Sequence, residues 1–476
     1  MATETEGGPR TAARPQKGGV SAWLSVLAVI LAVIALLLSW VRPGPAGVAG
    51  SPGGPGLDGA DGANGIACWD LNGNGAGDPA TEDMNGDGTV GIDDCTGAQG
   101  LPGVGLDRPG FLRTTLDASG EMGWFTSITI GSDCLGLISY YDRTNGDLKV
   151  AHCKDVACSS AVTYVLDSAG RVGLYTSVIV GTDGYGLISY YDETNGDLKV
   201  AHCKDVACSI ADTFALDTAG DVGLFTSIAF GEDWGLISYY DVTKRDLKVA
   251  HCKNPSCSIA DLFTLDSAGD VGVDPSITIG VDGLALISYW DFTNGALKVA
   301  HCENFYCDSV MNPPTISTWE VLGPGNPRFT SIAIGSDGLG LISYYDFVNG
   351  DLKVLHCRGV KCDGMPTIST LDSAGDVGAY SSLTVGVDGF GIISYYDRTN
   401  KALKTAHCAT QFCTSTSGAV TSRVDPFTPG QDSGIFTSIT IGVDGYPLIS
   451  YYDRTSGDLR VVHLSNVFGI PWVRYR

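Results

Sequence analysis

The stretch LDSAGRVGLYTSVIVGTDGYGLISYYDETNGDLKVAHCKDVAC, Leu166 to Cys208, recurs with variations seven times from Trp124 onward. Its Ser-aromatic-aromatic-Asp element returns at Asp142, Asp192, Asp241, Asp291, Asp346, Asp397 and Asp453. An alternating run follows each, ending in His152, His202, His251, His301, His356, His407 or His463, and these are all seven histidines of the chain. Successive copies lie 49 to 56 residues apart. Self-similarity at such a period means repeated supersecondary units that bury their apolar faces against one another.

Each copy holds four short apolar or alternating runs. In the first copy they are Phe125–Ile130, Leu135–Tyr141, Leu148–Cys153 and Ala161–Leu166. Asn-Gly and Asp-Gly between such runs are strong hairpin signals. No helical period appears across 111–476. The pattern therefore predicts an all-β fold, a seven-bladed β-propeller of four-stranded blades over 111–476. An open β-solenoid is the rival. The segment Phe111–Gly120 (FLRTTLDASG) reads as a fourth strand without its first three, matching Phe263–Gly269 (FTLDSAG). It can pair with the last blade and close the ring. Pro471–Arg476 (PWVRYR) is the other closing strand, and the repeat signature favours the N-terminal one.

Most repeated residues have structural readings. The paired aromatics, Tyr140 and Tyr141 in the first copy, point to opposite faces of the second strand and fill both blade interfaces. The aspartate after them accepts hydrogen bonds from its own turn. The histidines read as satisfied groups between blades rather than as ligands. Twelve of the fifteen cysteines form six His-Cys-x4-Cys units. Zinc is the alternative, but His and Cys adjacent on a strand face opposite ways. Disulfides Cys153–Cys158, Cys203–Cys208, Cys252–Cys257, Cys302–Cys307, Cys357–Cys362 and Cys408–Cys413 are expected, in an oxidising compartment. Cys134 stands where other copies have glycine and is left over.

The N-terminal part is of a different kind. Residues 20–41 form an uncharged apolar run of 22, about 33 Å long as a helix, which is enough to span a bilayer. It is longer than the core of a cleaved signal peptide. Arg10, Arg14 and Lys17 precede it, so residues 1–19 read as a cytoplasmic tail and the rest as extracellular, on a single-pass cell-membrane protein. From Gly44 glycine holds every third position through Gly65. This resembles collagen and implies a homotrimeric stalk over 44–67; a flexible linker is the alternative. A short second stretch lies within the linker 96–110.

Between them, Cys68 and Cys95 bracket two acidic loops, and the pair Cys68–Cys95 is expected to form a disulfide. Asp83, Asn85, Asp87, Thr89 and Asp94 fall at positions 1, 3, 5, 7 and 12 of a calcium loop, with Gly88 at the sharp turn. Asp70, Asn72, Asn74 and Asp78 make a looser copy. The segment 68–95 is similar to thrombospondin type 3 and dockerin segments. That resemblance implies calcium as the cofactor.

The net charge of −24, from 53 acidic and 29 basic residues, excludes a nucleic-acid partner, whose phosphates demand a basic face. Junction acids such as Asp217, Asp221, Asp266, Asp270, Asp372 and Asp376 suggest an acidic rim. Arg143, Arg398 and Arg454 share one turn position in the first, sixth and seventh copies, where the others have Glu193, Val242, Phe292 and Phe347. They form a speculative ligand rim. The main reading is a membrane-anchored extracellular binding or adhesion protein with a glycan or protein ligand, and not an enzyme, for want of a catalytic motif. A sialidase-like glycoside hydrolase is the alternative, and a purely structural surface protein the third. Specificity is expected where copies disagree: the Arg143 position, Glu232-Asp233-Trp234, and the insert Ser309–Val321.

Overall fold

Each copy folds as four antiparallel strands because its apolar runs are short and glycine, asparagine or aspartate punctuates them. The computed structural model describes residues 111–231, 234–323, 329–414, 420–424 and 430–464. Strand β1 (Phe111–Asp117) comes first, followed by β2 (Met122–Ile130), β3 (Gly136–Asp142), β4 (Asp147–Cys153) and β5 (Ala161–Asp167), which make blade 1. Blades 2 to 6 repeat the order of blade 1, giving seven four-stranded sheets in all. Among the described residues blade 7 supplies three strands of its own, Ser433–Ile441, Pro447–Asp453 and Asp458–Leu464. Its fourth is β1, with Phe111 opposite Leu464 and Thr114 opposite Val461. The N-terminal segment thus closes the ring; Pro471–Arg476 lies outside the described residues. This circle replaces the open solenoid.

Around the axis, the innermost strands are stitched by seven equivalent bonds. The amide of Val178 donates to Ser127 Oγ of the preceding blade at 3.1 Å, and Ile128 donates to Ser438 Oγ at 3.2 Å across the closure. Ile228, Ile277, Ile332, Leu383 and Ile439 complete the set. Blades approach closely here. A Cβ on Gly173 (φ +99°) would sit 2.6 Å from Leu148 Cα, so glycine is required by both contact and conformation.

The core lies between blades. Every second strand, β3 and its equivalents, is buried from end to end. Tyr140 packs with Leu459 and Val461 of blade 7, while Tyr141 packs with Leu174 of blade 2. The two aromatics do fill opposite interfaces. Asp142 Oδ1 accepts from the amides of Thr144 (2.9 Å) and Asn145 (3.0 Å), as expected of an Asx turn.

All six expected Cys pairs in blades 1 to 6 are bonded, each closing the hairpin between third and fourth strands. Zinc at these positions is thereby excluded. Each bond closes a loop with a sequence separation of 5. Removing one, as in Cys203→Ala/Cys208→Ala, should cost about 2 kcal/mol by the loop-entropy relation, read as a shift in urea midpoint. Cys134 is buried and belongs to none of the six.

Among the described residues no helix is long and apolar enough to cross a membrane, and no cluster of His, Cys, Asp or Glu could hold a metal ion. The expected membrane span 20–41, stalk 44–67, Cys68–Cys95 bond and calcium loops all lie outside the described residues.

Candidate functional site

The innermost strands carry the feature that gives the axis its chemistry. In β2 the pairing register slips between Trp124 and Ser127, so Phe125 and Thr126 leave the ladder. Such a bulge re-aims a side chain. Phe125 takes φ +53°, and the same left-handed backbone recurs at Tyr175, Phe225, Asp274, Phe329, Tyr380 and Phe436. All seven line one cavity of about 200 Å³ on the propeller axis.

Six of the seven are aromatic and touch in sequence around the axis. Ring centroids are 4.2 Å apart for Phe125–Tyr175, 4.5 Å for Tyr175–Phe225, 4.1 Å for Phe329–Tyr380, 4.7 Å for Tyr380–Phe436 and 4.4 Å for Phe436–Phe125. Blade 4 breaks the circle, with Asp274 where the others have an aromatic and Pro275 where they have Thr or Ser. The hydroxyl series links neighbours: Ser139 and Thr176 are 2.7 Å apart, and Thr176 also donates to Phe125 O. Pro275 cannot make that link. Asp274 is 9% exposed, and its Oδ2 accepts from the Phe329 amide at 3.2 Å. Its own carbonyl accepts from Thr330 Oγ1 at 2.9 Å. Among the described residues Asp274 is the one carboxylate that lines the cavity.

Left-handed φ at a bulky residue costs on the order of 1–3 kcal/mol. Such conformations cluster at sites that use them. Seven on one axis, with one chemically distinct member, mark this cavity as the candidate site.

The residues singled out from sequence lie elsewhere and mostly serve the scaffold. Asp117, Asp167, Asp217, Asp266 and Asp372 end the outer strands and are buried. Each accepts from a tyrosine and a lysine of the next blade. Tyr190 Oη and Lys199 Nζ reach Asp167 Oδ2 at 2.7 and 2.5 Å, and Tyr239 and Lys248 meet Asp217 likewise. Burial by itself would raise the Asp217 carboxyl, but the bonds from Lys248 and Tyr239 outweigh it and hold it low. Asp221, Asp270 and Asp376 accept from Tyr191, Tyr240 and Tyr345 at 2.7, 2.7 and 2.6 Å. The acidic rim is therefore largely a set of blade-to-blade anchors. The insert Ser309–Val321 serves the same end. It forms the outer strand of blade 4 (Thr315–Val321), and its Glu320 bonds Tyr344 and Lys353 in the aspartate's place.

Six histidines bond an aspartate through Nε2 within a blade rather than between blades, and among the described residues the buried Nδ1 atoms of His301 and His356 have no hydrogen-bond partner. His152 Nε2 meets Asp133 Oδ2 at 2.7 Å, and His202, His301, His356, His407 and His463 repeat this at 2.7 to 2.9 Å. Each pair ties the first turn of a blade to its third strand. In blade 3 the turn residues Glu232 and Asp233 lie outside the described residues, and the His251 ring meets Tyr306 at 4.9 Å.

Arg143, Arg398 and Arg454 lie on the face where blades join. Arg143 pairs with Glu121 at 2.5 Å and sits 4.4 Å from the Trp124 ring centroid. Arg398 donates to Tyr345 Oη at 3.2 Å and is 4.0 Å from Asp376. Arg454 is 3.8 Å from Asp432. Each is turned toward the acid of its own junction.

Sequence reading missed Asp274. The signal was present, because Val271–Ile277 reads VGVDPSI where blade 3 reads VGLFTSI. An Asp-Pro pair at the centre of an inner strand is out of keeping with a regular ladder.

No protein-family model matches the chain, and no curated protein matches it. Solved structures do resemble it. An α-L-arabinofuranosidase from Lactobacillus brevis aligns over 61% of this chain and 89% of its own, with 11% identity and a TM-score of 0.35. The α-L-arabinofuranosidase Arb93A from Fusarium graminearum, in complex with an iminosugar inhibitor, aligns over 76% and 99%, at 9% and 0.40. A Hadza microbial sialidase aligns over 72% and 66%, at 10% and 0.41. These neighbours are enzymes, and the expectation that the chain is not one is corrected accordingly. At these identities the likeness extends to the bladed fold alone.

Proposed function

We propose that the head is a carbohydrate-active propeller that seats a sugar in the axial cavity, against the aromatic circle and beside Asp274. The observation that supports this most directly is the set of six left-handed aromatics interrupted by one carboxylate. Aromatic faces take the apolar face of a sugar ring, and a carboxylate accepts from its hydroxyls. Arg143, Arg398 and Arg454, on the junction face, form the outer rim of that seat. Glycoside hydrolysis is the reaction such a seat would serve, with Asp274 the group placed to exchange a proton with the glycosidic oxygen. Most glycosidases pair that acid with a second carboxylate. In this reading the second comes from outside the lining.

The test is calorimetric titration of the full-length chain with neutral oligosaccharides, beside release of nitrophenol from aryl glycosides. Phe225→Ala and Phe329→Ala flank Asp274, and each should weaken binding about 30-fold, as truncating an aromatic hot spot costs about 2 kcal/mol. Turnover that disappears in Asp274→Asn would place hydrolysis at this site. Failure of every oligosaccharide to bind would overturn the proposal.

We further infer that the head is displayed outside the cell on a trimeric, calcium-clasped stalk. Six disulfides in the head support an oxidising compartment. The glycine period of 44–67 and the oxygen-rich loops of 68–95 support the trimer and the calcium. Sedimentation in detergent, with and without chelator, should give a trimer; a monomer would refute the stalk.

A further inference from the structure

We propose that the junction face of blades 3 and 4 is a docking surface for a polypeptide segment that brings two arginines to it. The other blades show what a completed junction contains. In blade 6 the amide of Arg398 donates to Asp376 O at 2.8 Å, and the two side chains form an ion pair at 4.0 Å. Blades 1 and 7 repeat the pair, Arg143–Glu121 at 2.5 Å and Arg454–Asp432 at 3.8 Å. Blade 2 exchanges the signs and keeps the pair, Arg171–Glu193 at 2.7 Å. Blades 3 and 4 have the same backbone, with the amides of Val242 and Phe292 donating to Asp221 O and Asp270 O at 2.9 and 2.8 Å. They keep the acid and put an apolar side chain where the arginine stands. Among the described residues the exposed Asp221 carboxylate is held by Tyr191 Oη alone. Asp270 is held by Tyr240 Oη, with the Arg245 guanidinium 4.0 Å away on a side chain that is 68% exposed.

The completed junction also says which cation fits. Arg398 lies 4.9 Å from the Tyr345 ring centroid, donates to Tyr345 Oη at 3.2 Å and faces Asp376. Tyr191 and Tyr240 are the counterparts of Tyr345, so a guanidinium arriving from outside finds the same ring, phenol oxygen and carboxylate. A planar guanidinium stacks and donates at once, whereas an ammonium acts as a point charge. Phe292, 42% exposed, and Val242 beside it in the ring of turns add apolar surface for the side chains between the two arginines. One exposed ion pair is weak. Two seats on neighbouring blades, engaged by one chain, gain from the tether that makes the second contact intramolecular. None of these residues lines the axial cavity. The net charge of −24 favours the approach of a basic segment from a distance.

The experiment titrates labelled peptides into the full-length chain and follows fluorescence anisotropy. Each peptide carries two arginines, placed three, five or seven residues apart with leucine and glycine between them. At about 3.3 Å per residue when extended, the set spans roughly 10 to 23 Å. One spacing at least should bind, at least 10-fold more tightly than the same peptide with lysines and than its single-arginine version. Val242→Arg combined with Phe292→Arg should complete both junctions from within and weaken that peptide at least 10-fold. Three other blades carry arginine at this position, so the fold accommodates it. Asp221→Asn keeps an acceptor for Tyr191 while removing the charge, and should weaken the peptide about 5-fold. Oligosaccharide titration should be unchanged in both variants, which separates this surface from the axial seat. Binding of none of the peptides would overturn the proposal. So would equal affinity for arginine and lysine peptides, or affinity that survives Val242→Arg/Phe292→Arg.

Discussion

Asp217→Ala is expected to destabilise the head by about 3–5 kcal/mol, the cost of stranding a buried charge by removing its partner. Lys248 and Asp217 have side chains only 8% and 1% exposed, and Tyr239 donates to the same carboxylate at 2.8 Å. Without Asp217 the ammonium faces Asp241 Oδ2, which lies 3.7 Å away, beyond direct hydrogen-bond reach, while Asp241 Oδ1 is held by its turn. The phenol loses its acceptor at the same time. Urea unfolding monitored by tryptophan fluorescence should show the loss as a lower midpoint at unchanged slope. Asp217→Leu combined with Lys248→Met should recover most of it, because an apolar pair of similar volume removes the unmet charge. A loss below about 1 kcal/mol for Asp217→Ala, the range of an exposed ion pair, would show that water reaches this interface.

That triad illustrates what the sequence made legible. Asp217 stood out as a junction acid and Tyr239 as one of the paired aromatics, but Lys248 did not, and spacings of 22 and 31 along the chain say nothing about contact. Only the passage from the outer strand of one blade to the inner strands of the next brings them together. Local devices were readable because their physics is local. The Asp142 turn closes within three residues, and the Cys203–Cys208 hairpin within five. The identity of the ring-closing strand was half-readable, since FLRTTLDASG carried a signature without showing its partner. The axial site was the least legible part. An alternating reading assigns Phe125 and Thr126 to a regular ladder, whereas the register slips there and turns both to the axis. A bulge has no period of its own. Its trace was the single copy that departs from the others, Asp274-Pro275, and a reading focused on agreement among copies passes over it.

Acid should unfold the head in a window set by the same interfaces. Burial alone would raise the carboxyls of Asp117, Asp167, Asp217, Asp266 and Asp372. Hydrogen bonds from their lysine and tyrosine partners, joined at Asp117 by Ser119, outweigh burial and hold each below the ordinary 3.8. A carboxylate depressed in the folded state contributes stability that is complete above its unfolded value and is lost as pH falls through the folded one. The main loss should therefore begin near pH 4 and steepen below it, with about five protons taken up together. Two other groups modify the approach. Asp147, Asp197, Asp246 and Asp351 are raised, first by burial and then by the neighbouring turn aspartate, so they oppose folding while ionised. Asp147→Asn should accordingly stabilise the head at pH 7 and leave the acid limb in place. His407 is pushed below 6.5 by burial against the pull of Asp388, which costs stability as pH drops through 6.5. His407→Gln should remove that early step. Urea midpoints measured from pH 7.5 to 2.5 test the whole sequence. The five-carboxylate account fails if most of the loss falls between pH 7 and 5, above the range of these depressed carboxylates, or if Asp217→Leu/Lys248→Met leaves the steepness of the acid limb unchanged.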